Sequence, residues 1–537
     1  MTCAIRQMKH FTITFEPEGE QVSIHTGATI VEAAGQAGII INTPCGGRGI
    51  CKKCLVYLEP EHREVLACQY RIQSNLLVSI PSQSRYFEQQ ILEHGIEAET
   101  EPSLTIYEEL HKKTAAEKIY GLAVDIGTTT VVVKLINMAD GKCLATESAL
   151  NPQTSLGDDV ISRIAYAQTS EKLAQLNKII IDCINDLVAR LCKKTAIEAG
   201  DIYELCAVGN TTMNHIFLKF PITQLGQAPY KAHSLDAYDL PAEQLMIKIN
   251  RQANVHTVEN IAGFVGSDTT AVALAVNIES AGKMTLIVDI GTNGEIVLGT
   301  KDKLYAASCA AGPALEGARI SCGSRAAEGA IEAVVVSRDD IGLDVIGNCP
   351  PRTICGSGLI DAVAVLLDLE IIDVTGRFNQ PDTLRDILPP AIISRIIKTD
   401  EQLGFILSRE ADVNQHDIIL TQRDIRQVQL AKAAIKAGIK ILMKKLGVED
   451  ADVEQIFLAG AFGNYIRPES ALHIGLLPTG DTHKLHFIGN AAASGAQMIL
   501  LSRRNRDHAK ELARRIEYVE IAHEPDFQDI YADSMMF

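Results

Sequence analysis

The chain has 537 residues, 22% of them charged and 47% hydrophobic, the balance of a folded globular protein rather than a disordered or fibrous one. Against 50 Lys and Arg stand 67 Asp and Glu, and the resulting formal charge of −17 argues against binding to nucleic-acid backbones or anionic membrane surfaces. The 13 cysteines are too sparse for a secreted disulfide scaffold, so a subset is expected to ligate metal and the rest to be buried core thiols.

Length predicts three or four domains. The N-terminal segment has no apolar core of the secretory kind, and no apolar run reaches the about 18 residues of a membrane span; the stretch from Ala362 to Ile372 is interrupted by Asp368 and Glu370. A cytoplasmic location is the expectation.

Phe11 to Phe15 and Val22 to His25 alternate like the two strands of a hairpin, and Thr29 to Gly38 carries Ile30, Ala33, Ala34 and Ala37 on one helical face. A Gly-rich loop follows, with cysteines spaced Cys45-x5-Cys51-x2-Cys54-x13-Cys68 and a strand at Leu55 to Leu58. Four thiolates, three on one loop and one on a returning segment, suit a 2Fe–2S cluster. Gly46, Gly47 and Gly49 let the backbone wrap it closely. Structural zinc is the alternative, but zinc sites usually pair two short spacings, and here only one is short. The segment from Lys9 to about Pro81 resembles the plant and adrenodoxin type of 2Fe–2S ferredoxin, departing from it in the short interval between Cys54 and Cys68. The resemblance implies a β-grasp domain with Cys45, Cys51, Cys54 and Cys68 as iron ligands and one-electron chemistry at low potential.

Ser82 to Lys118 is polar and acid-rich and reads as a linker, long enough to let the preceding domain move. Beyond it the chain repeats itself. Tyr120 to Asn137 and Met284 to Thr300 each contain Val-Asp-Ile-Gly-Thr, with Asp125 and Asp289 separated by 164 residues. Each copy is an apolar strand, a Gly-Thr tip and a second apolar strand. Such tips offer backbone N–H and hydroxyl groups to phosphates, and the Asp is placed to hold hydrated Mg²⁺. A third Gly-rich element, Phe457 to Ile466, has small residues against which a base and ribose can lie.

In order, these three loops resemble the phosphate-1, phosphate-2 and adenosine motifs of the acetate and sugar kinase/Hsp70/actin superfamily. Val208 to Met213 and Gly489 to Gly495 resemble its two connecting motifs, where helices cross between lobes. The resemblance implies two ribonuclease-H-like α/β lobes clasping ATP. Gly127, Thr128, Thr129, Gly291, Thr292, Asn293 and Gly294 would surround the phosphates, and Gly460, Ala461 and Gly463 would line the adenosine. Asp125 and Asp289 would organise Mg²⁺ or water, with Glu295 a further candidate for positioning water. Two apolar stripes, from Leu173 to Leu191 and from Ile425 to Leu446, predict core helices, the second stopped by Gly447. The Gly-rich segments 310–323 and 355–362 read equally as nucleotide contacts or tight turns. Cys309, Cys322, Cys349 and Cys355 lack a CxxC pair and read as buried thiols, and His215 as a packed histidine. Walker, GxSxG and HExxH patterns are absent from the sequence.

A ferredoxin-like domain (residues 1–81), a linker (82–117), a first ATPase lobe (118–282) and a C-terminal lobe (283–537) together resemble the ATP-dependent reductive activators of corrinoid proteins. That family passes one electron from a 2Fe–2S cluster to inactive Co(II) to restore Co(I). It implies a corrinoid protein of a methyltransferase system as partner, an upstream low-potential electron donor and a homodimer. Three alternatives share parts of this pattern: an ATP-dependent electron injector for a radical dehydratase or ring reductase, a redox-regulated small-molecule kinase, and a non-enzymatic ATP-switched sensor or assembly protein.

Overall fold

The computed structural model describes residues 9–16, 19–37, 39, 41, 54–81, 119–157, 159–279, 282–291, 293–317, 319–324, 326–337, 339–399, 402–409, 417–460, 466–478 and 481–537. The expected linker, most of the cysteine loop including Cys45 and Cys51, and the site candidates Thr292, Ala461 and Gly463 lie outside the described residues.

The N-terminal domain has five strands: β1 (His10–Glu16), β2 (Glu20–His25), β3 (Leu55–Glu59), β4 (Arg63–Leu66) and β5 (Leu76–Ser79), in the order β2-β1-β5-β3-β4. The hairpin β1–β2 is antiparallel, whereas β1 and β5 are parallel, the mixed arrangement expected of a β-grasp domain. Helix α1 (Ile30–Gln36) begins with a capping box, the Thr29 hydroxyl accepting from Glu32 N while the Glu32 carboxylate accepts from Thr29 N. Its Ile30, Ala33 and Ala34 are buried with Ile13, Phe15 and Val56 in the small core of this domain.

The first lobe is a six-stranded sheet of β6 (Tyr120–Ile126), β7 (Thr130–Asn137), β8 (Cys143–Leu150), β9 (Ile202–Gly209), β10 (Tyr238–Pro241) and β11 (Asn254–Thr257). Strands β6, β7 and β8 form an antiparallel meander, and β9 and β11 extend it in parallel on the other side of β6. The second lobe repeats this plan with β12 (Thr285–Ile290), β13 (Gly294–Gly299) and β14 (Leu304–Cys309) as the meander. There β15 (Gln455–Ala459) and β16 (Leu485–Gly489) are the parallel extension. Five strands are duplicated along with the motif, while the sixth lies at opposite edges, Tyr238–Pro241 in the first lobe and Ile516–Tyr518 in the second; Asp125 and Asp289 stand near the same end of equivalent central strands.

Helices cover the sheets: α2 (Val160–Tyr166), α3 (Ser170–Thr195), α4 (Thr211–Leu218) and α5 (Ser267–Ala275) belong to the first lobe. The second contributes α6 (Gly356–Asp368), α7 (Gln422–Leu446), α8 (Ala491–Leu501) and α9 (Arg503–Arg515). The stripe on α3 from Leu173 to Leu191 is buried, and α7 is stopped by Gly447 at φ 69°, which a residue without Cβ adopts freely.

One expectation needs correction. The helix that crosses α8 is α5, not the α4 that follows Val208 to Met213. A Cβ built on Gly495 of α8 would lie 2.1 Å from Ala271 O on α5, so the crossing exists only because both partners are small there. Helix α4 instead packs inside the first lobe, where its Asn210 cap reaches the first Gly-Thr tip. His215 on α4 is a packed histidine: Nε2 accepts from His233 N, and burial pushes its pKa down to about 4.

Candidate functional site

Both tips are closed by a backbone hydrogen bond from their glycine, but the first spans one residue more than the second. Gly127 N donates to Thr130 O, and Gly291 N donates to Asn293 O, each at 3.0 Å. A side chain at position 127 would collide with Thr130 O, 2.5 Å from the added Cβ, so the first tip requires glycine for a close approach. Both tips open into one cleft of about 810 Å³, large enough for a nucleotide.

On the cleft floor are Asp125, Asp289 and Glu295, all three sequence candidates, and a fourth carboxylate, Asp268, in the first turn of α5. Asp289 and Glu295 face each other across the β12–β13 ladder, where like charges repel. Burial raises the pKa of Asp289 to about 7, with Asp268 and Asp125 adding repulsion. Asp125 is raised to about 7 by burial, and a hydrogen bond from Asn490 Nδ2 at 2.8 Å opposes that rise. Burial holds Asp268 at about 6, and pushes Glu295 well above the usual carboxylate range with help from Asp268 and Asp289.

Four crowded carboxylates favour a divalent cation. Among the described residues no three His, Cys, Asp or Glu side chains are grouped to chelate a metal directly. Mg²⁺ keeps much of its water and takes one or two carboxylates together with substrate phosphates, and Asp125 and Asp289 in the cleft lining are available for that.

Of the remaining candidates, Gly127, Thr128, Thr129, Gly291, Asn293 and Gly460 line the cleft. Gly294 is buried at the start of β13, behind the tip. Gly460 has φ 91°, and a Cβ there would lie 2.6 Å from Asp289 Oδ1, so this glycine lets the third loop pack directly on the carboxylate. Both Gly-rich segments left open by the sequence reach the cleft, through Glu316 and through Cys355 to Ser357.

Sequence reasoning missed Asp268, Asn490 and Asn210 as site residues. Asn490 caps α8 through Ala493 N while donating to Asp125 in the other lobe, and Asn210 donates to Thr128 Oγ1 at 2.8 Å. The available signal was a Gly followed by a polar residue at each helix start, in Gly209-Asn210, Gly266-Ser267-Asp268 and Gly489-Asn490. A Cβ on Gly266 would lie 2.3 Å from Asn210 Cα, which brings two of these helix starts together.

In the N-terminal domain, the described ligand candidates Cys54 and Cys68 are buried with their sulfurs 3.2 Å apart. Two thiols converging at the base of a Gly-rich loop fit a thiolate-held cluster. This domain also touches the ATPase region: His10 Nε2 pairs with the buried Asp344, and Gln21, Val22 and Ser23 of β2 form part of the cleft wall. Glu332, beside that pair, is raised to about 7 by burial and by Asp344, with His10 opposing the rise.

A thiol-bearing ferredoxin-type domain set against a duplicated ribonuclease-H-like nucleotide cleft defines a class of iron–sulfur ATPase. Three family models match consecutive stretches: a 2Fe-2S iron-sulfur cluster binding domain over residues 13–73, the RACo middle region over 120–281, and the C-terminal domain of RACo, the ASKHA domain, over 283–537. The chain is 34% identical to the corrinoid activation enzyme RamQ of Eubacterium limosum, across 96% of this chain and 98% of that one. It is 24% identical to the Co(II) methylated amine-specific corrinoid protein reductase of Methanosarcina barkeri, across 77% of this chain and 76% of that one. The solved structure of a reductive activator for corrinoid, iron-sulfur protein matches with a TM-score of 0.72 and 31% identity, covering 98% of both chains. The chain belongs to the RACo family. No helix among the described residues is long and apolar enough to cross a membrane.

Proposed function

We propose that the protein is an ATP-dependent reductive activator that returns the Co(II) corrinoid of a partner methyl-transfer protein to Co(I) by delivering one electron. The observation that carries this reading is the direct contact between a cysteine-bearing ferredoxin-type domain and a nucleotide cleft, with β2 forming part of the cleft wall. In the proposed division, residues 1–81 carry the electron, 82–117 tether that domain, and 118–282 and 283–537 form the two ATPase lobes. A low-potential donor upstream, a homodimeric assembly and a cytoplasmic setting complete the reading.

When bound, a 2Fe–2S cluster on Cys45, Cys51, Cys54 and Cys68 supplies one-electron chemistry, and MgATP supplies free energy to the two lobes. Burial of Cys54 and Cys68 excludes water from that side of the cluster site. In the cleft, Gly127, Thr128, Thr129, Gly291, Thr292 and Asn293 bind and orient phosphates, with Gly294 supporting the second tip from behind, while Gly460, Ala461 and Gly463 receive the nucleoside. Asp125 and Asp289 hold the hydrated cation, and Glu295 orients the attacking water. Asn490 anchors one lobe to Asp125 of the other, so a change at the phosphates is felt across the α5–α8 crossing. An uphill electron transfer of about 59 mV costs about 1.4 kcal/mol, so a few hundred millivolts lies within reach of nucleotide-driven docking.

The test mixes reduced full-length protein, MgATP and candidate Co(II) corrinoid proteins and follows the Co(I) absorption band. Appearance of Co(I) that needs both the reductant and MgATP is the expected result. Phosphorylation of a small molecule without any cobalt reduction would replace this reading with the kinase alternative.

A further inference from the structure

Beneath the first Gly-Thr tip lies a fully buried arginine, Arg163 of α2. Its Nη2 donates to Thr128 O at 2.5 Å, its Nη1 to Gln153 Oε1 at 3.1 Å, and its Nε to Gly157 O at 3.0 Å. A guanidinium is retained in an interior only where acceptors satisfy its fixed fork, and here one of those acceptors is the backbone of the tip itself.

The neighbouring peptide is tied in the same direction. Asn151 Nδ2 donates to Gly127 O at 2.9 Å, and the same side chain contacts Gln153, which holds Arg163. In a trans peptide the C=O of one residue and the N–H of the next point in opposite directions. Fixing Gly127 O and Thr128 O beneath the tip therefore turns the N–H groups of Thr128 and Thr129 away from Arg163, toward the cleft that both residues line. Successive N–H groups presented together form an anion-binding concavity. The guanidinium adds a permanent positive charge behind them.

We infer that Arg163 is a positioning residue for polyphosphate: it sets the peptide orientation of the first phosphate tip without touching the nucleotide. This rests on the reading of the cleft as an ATP site. Because Arg163 acts only under the phosphates, its loss is expected to weaken polyphosphate binding while leaving nucleoside binding in place. A residue that merely supported the lobe would affect both ligands alike.

The experiment titrates MgATP, with adenosine measured by competition, against full-length wild type, Arg163→Met and Arg163→Lys. For Arg163→Met the expected result is a loss of about 10- to 100-fold in MgATP affinity, with adenosine affinity held within about 3-fold and the hydrolysis KM rising more than kcat falls. Arg163→Lys keeps the charge but not the fork and is expected to lie between. Equal losses for MgATP and adenosine, or no loss for either, would overturn the inference. If Arg163→Met does not fold, Arg163→Lys supplies the same comparison: a loss selective for MgATP supports the inference, and an unselective or absent one overturns it. A wild type that binds no MgATP would overturn the ATP-site reading instead.

Discussion

Replacing Asp289 by Asn should stabilise the nucleotide-free protein, and the gain should grow with pH. In the folded chain the Asp289 carboxyl is raised from the ordinary 3.8 to about 7, by burial first and by Asp268 and Asp125 next. A folded-state pKa above the unfolded one means that the folded protein holds the proton more tightly. Below about pH 3.8 the group is protonated in both states and costs nothing; between 3.8 and 7 the cost rises, and above 7 it is constant. At about 1.4 kcal/mol per pH unit the full rise corresponds to roughly 4 kcal/mol. Asp289 is only partly shielded on the cleft floor, so screening reduces the expected stabilisation by Asp289→Asn to about 1–3 kcal/mol at pH 8, with a smaller gain at pH 5. Thermal unfolding in chelator across that range reads the difference directly. Saturating MgATP should reverse the order, since about 1,000 Kd of ligand stabilises wild type by about 4.1 kcal/mol while the variant lacks a carboxylate proposed to hold the cation. A pH-independent difference between the proteins, or an Asn variant that is less stable in chelator at pH 8, would refute the account of crowded, buried carboxylates.

Two further outcomes follow from other parts of the molecule. Cys68→Ser should remove the visible absorption and electron paramagnetic signal of the reconstituted cluster while leaving MgATP affinity unchanged; a spectroscopically normal cluster in the variant would remove Cys68 from the ligand set. Gly495→Ala should destabilise the ATPase region by about 1–3 kcal/mol despite the better helix propensity of alanine, because the new methyl would lie 2.1 Å from Ala271 O. An unchanged or raised melting temperature would show that the α5–α8 crossing can open without cost.

The sequence made the two Gly-Thr hairpin tips legible because each is local: strand, tip and strand lie within one short run, and the duplication of Val-Asp-Ile-Gly-Thr separated motif from coincidence. The long helices α3 and α7 were legible for the same reason, their stripes being periodic along a single element. Asp268 and Asn490 were not, because their role arises only when α5 and α8 cross and bring distant helix starts against Asp125 and Asp289. The same fact explains why α4 was mistaken for a crossing helix. Val208 to Met213 has the small, polar character of such a motif, but what decides a crossing is whether the opposing surface is equally small, and that surface is Ala271 on α5. Arg163 was illegible for another reason: nothing in a local pattern marks a charged residue one of whose acceptors is a backbone oxygen of a loop 35 positions earlier.

Strand β2, as part of the cleft wall, gives the nucleotide site a boundary that belongs to a different domain. Any nucleotide that makes contact with Gln21, Val22 or Ser23 is held in part by the electron carrier, and the carrier is held in part by the nucleotide. By reciprocity each tightens the other by the same factor, whichever arrives first. The affinity of the ATP site then serves as a gauge of where the ferredoxin-type domain is, and a carrier that leaves the wall to meet a partner must be repaid for the contacts it gives up, including the pair between His10 and Asp344.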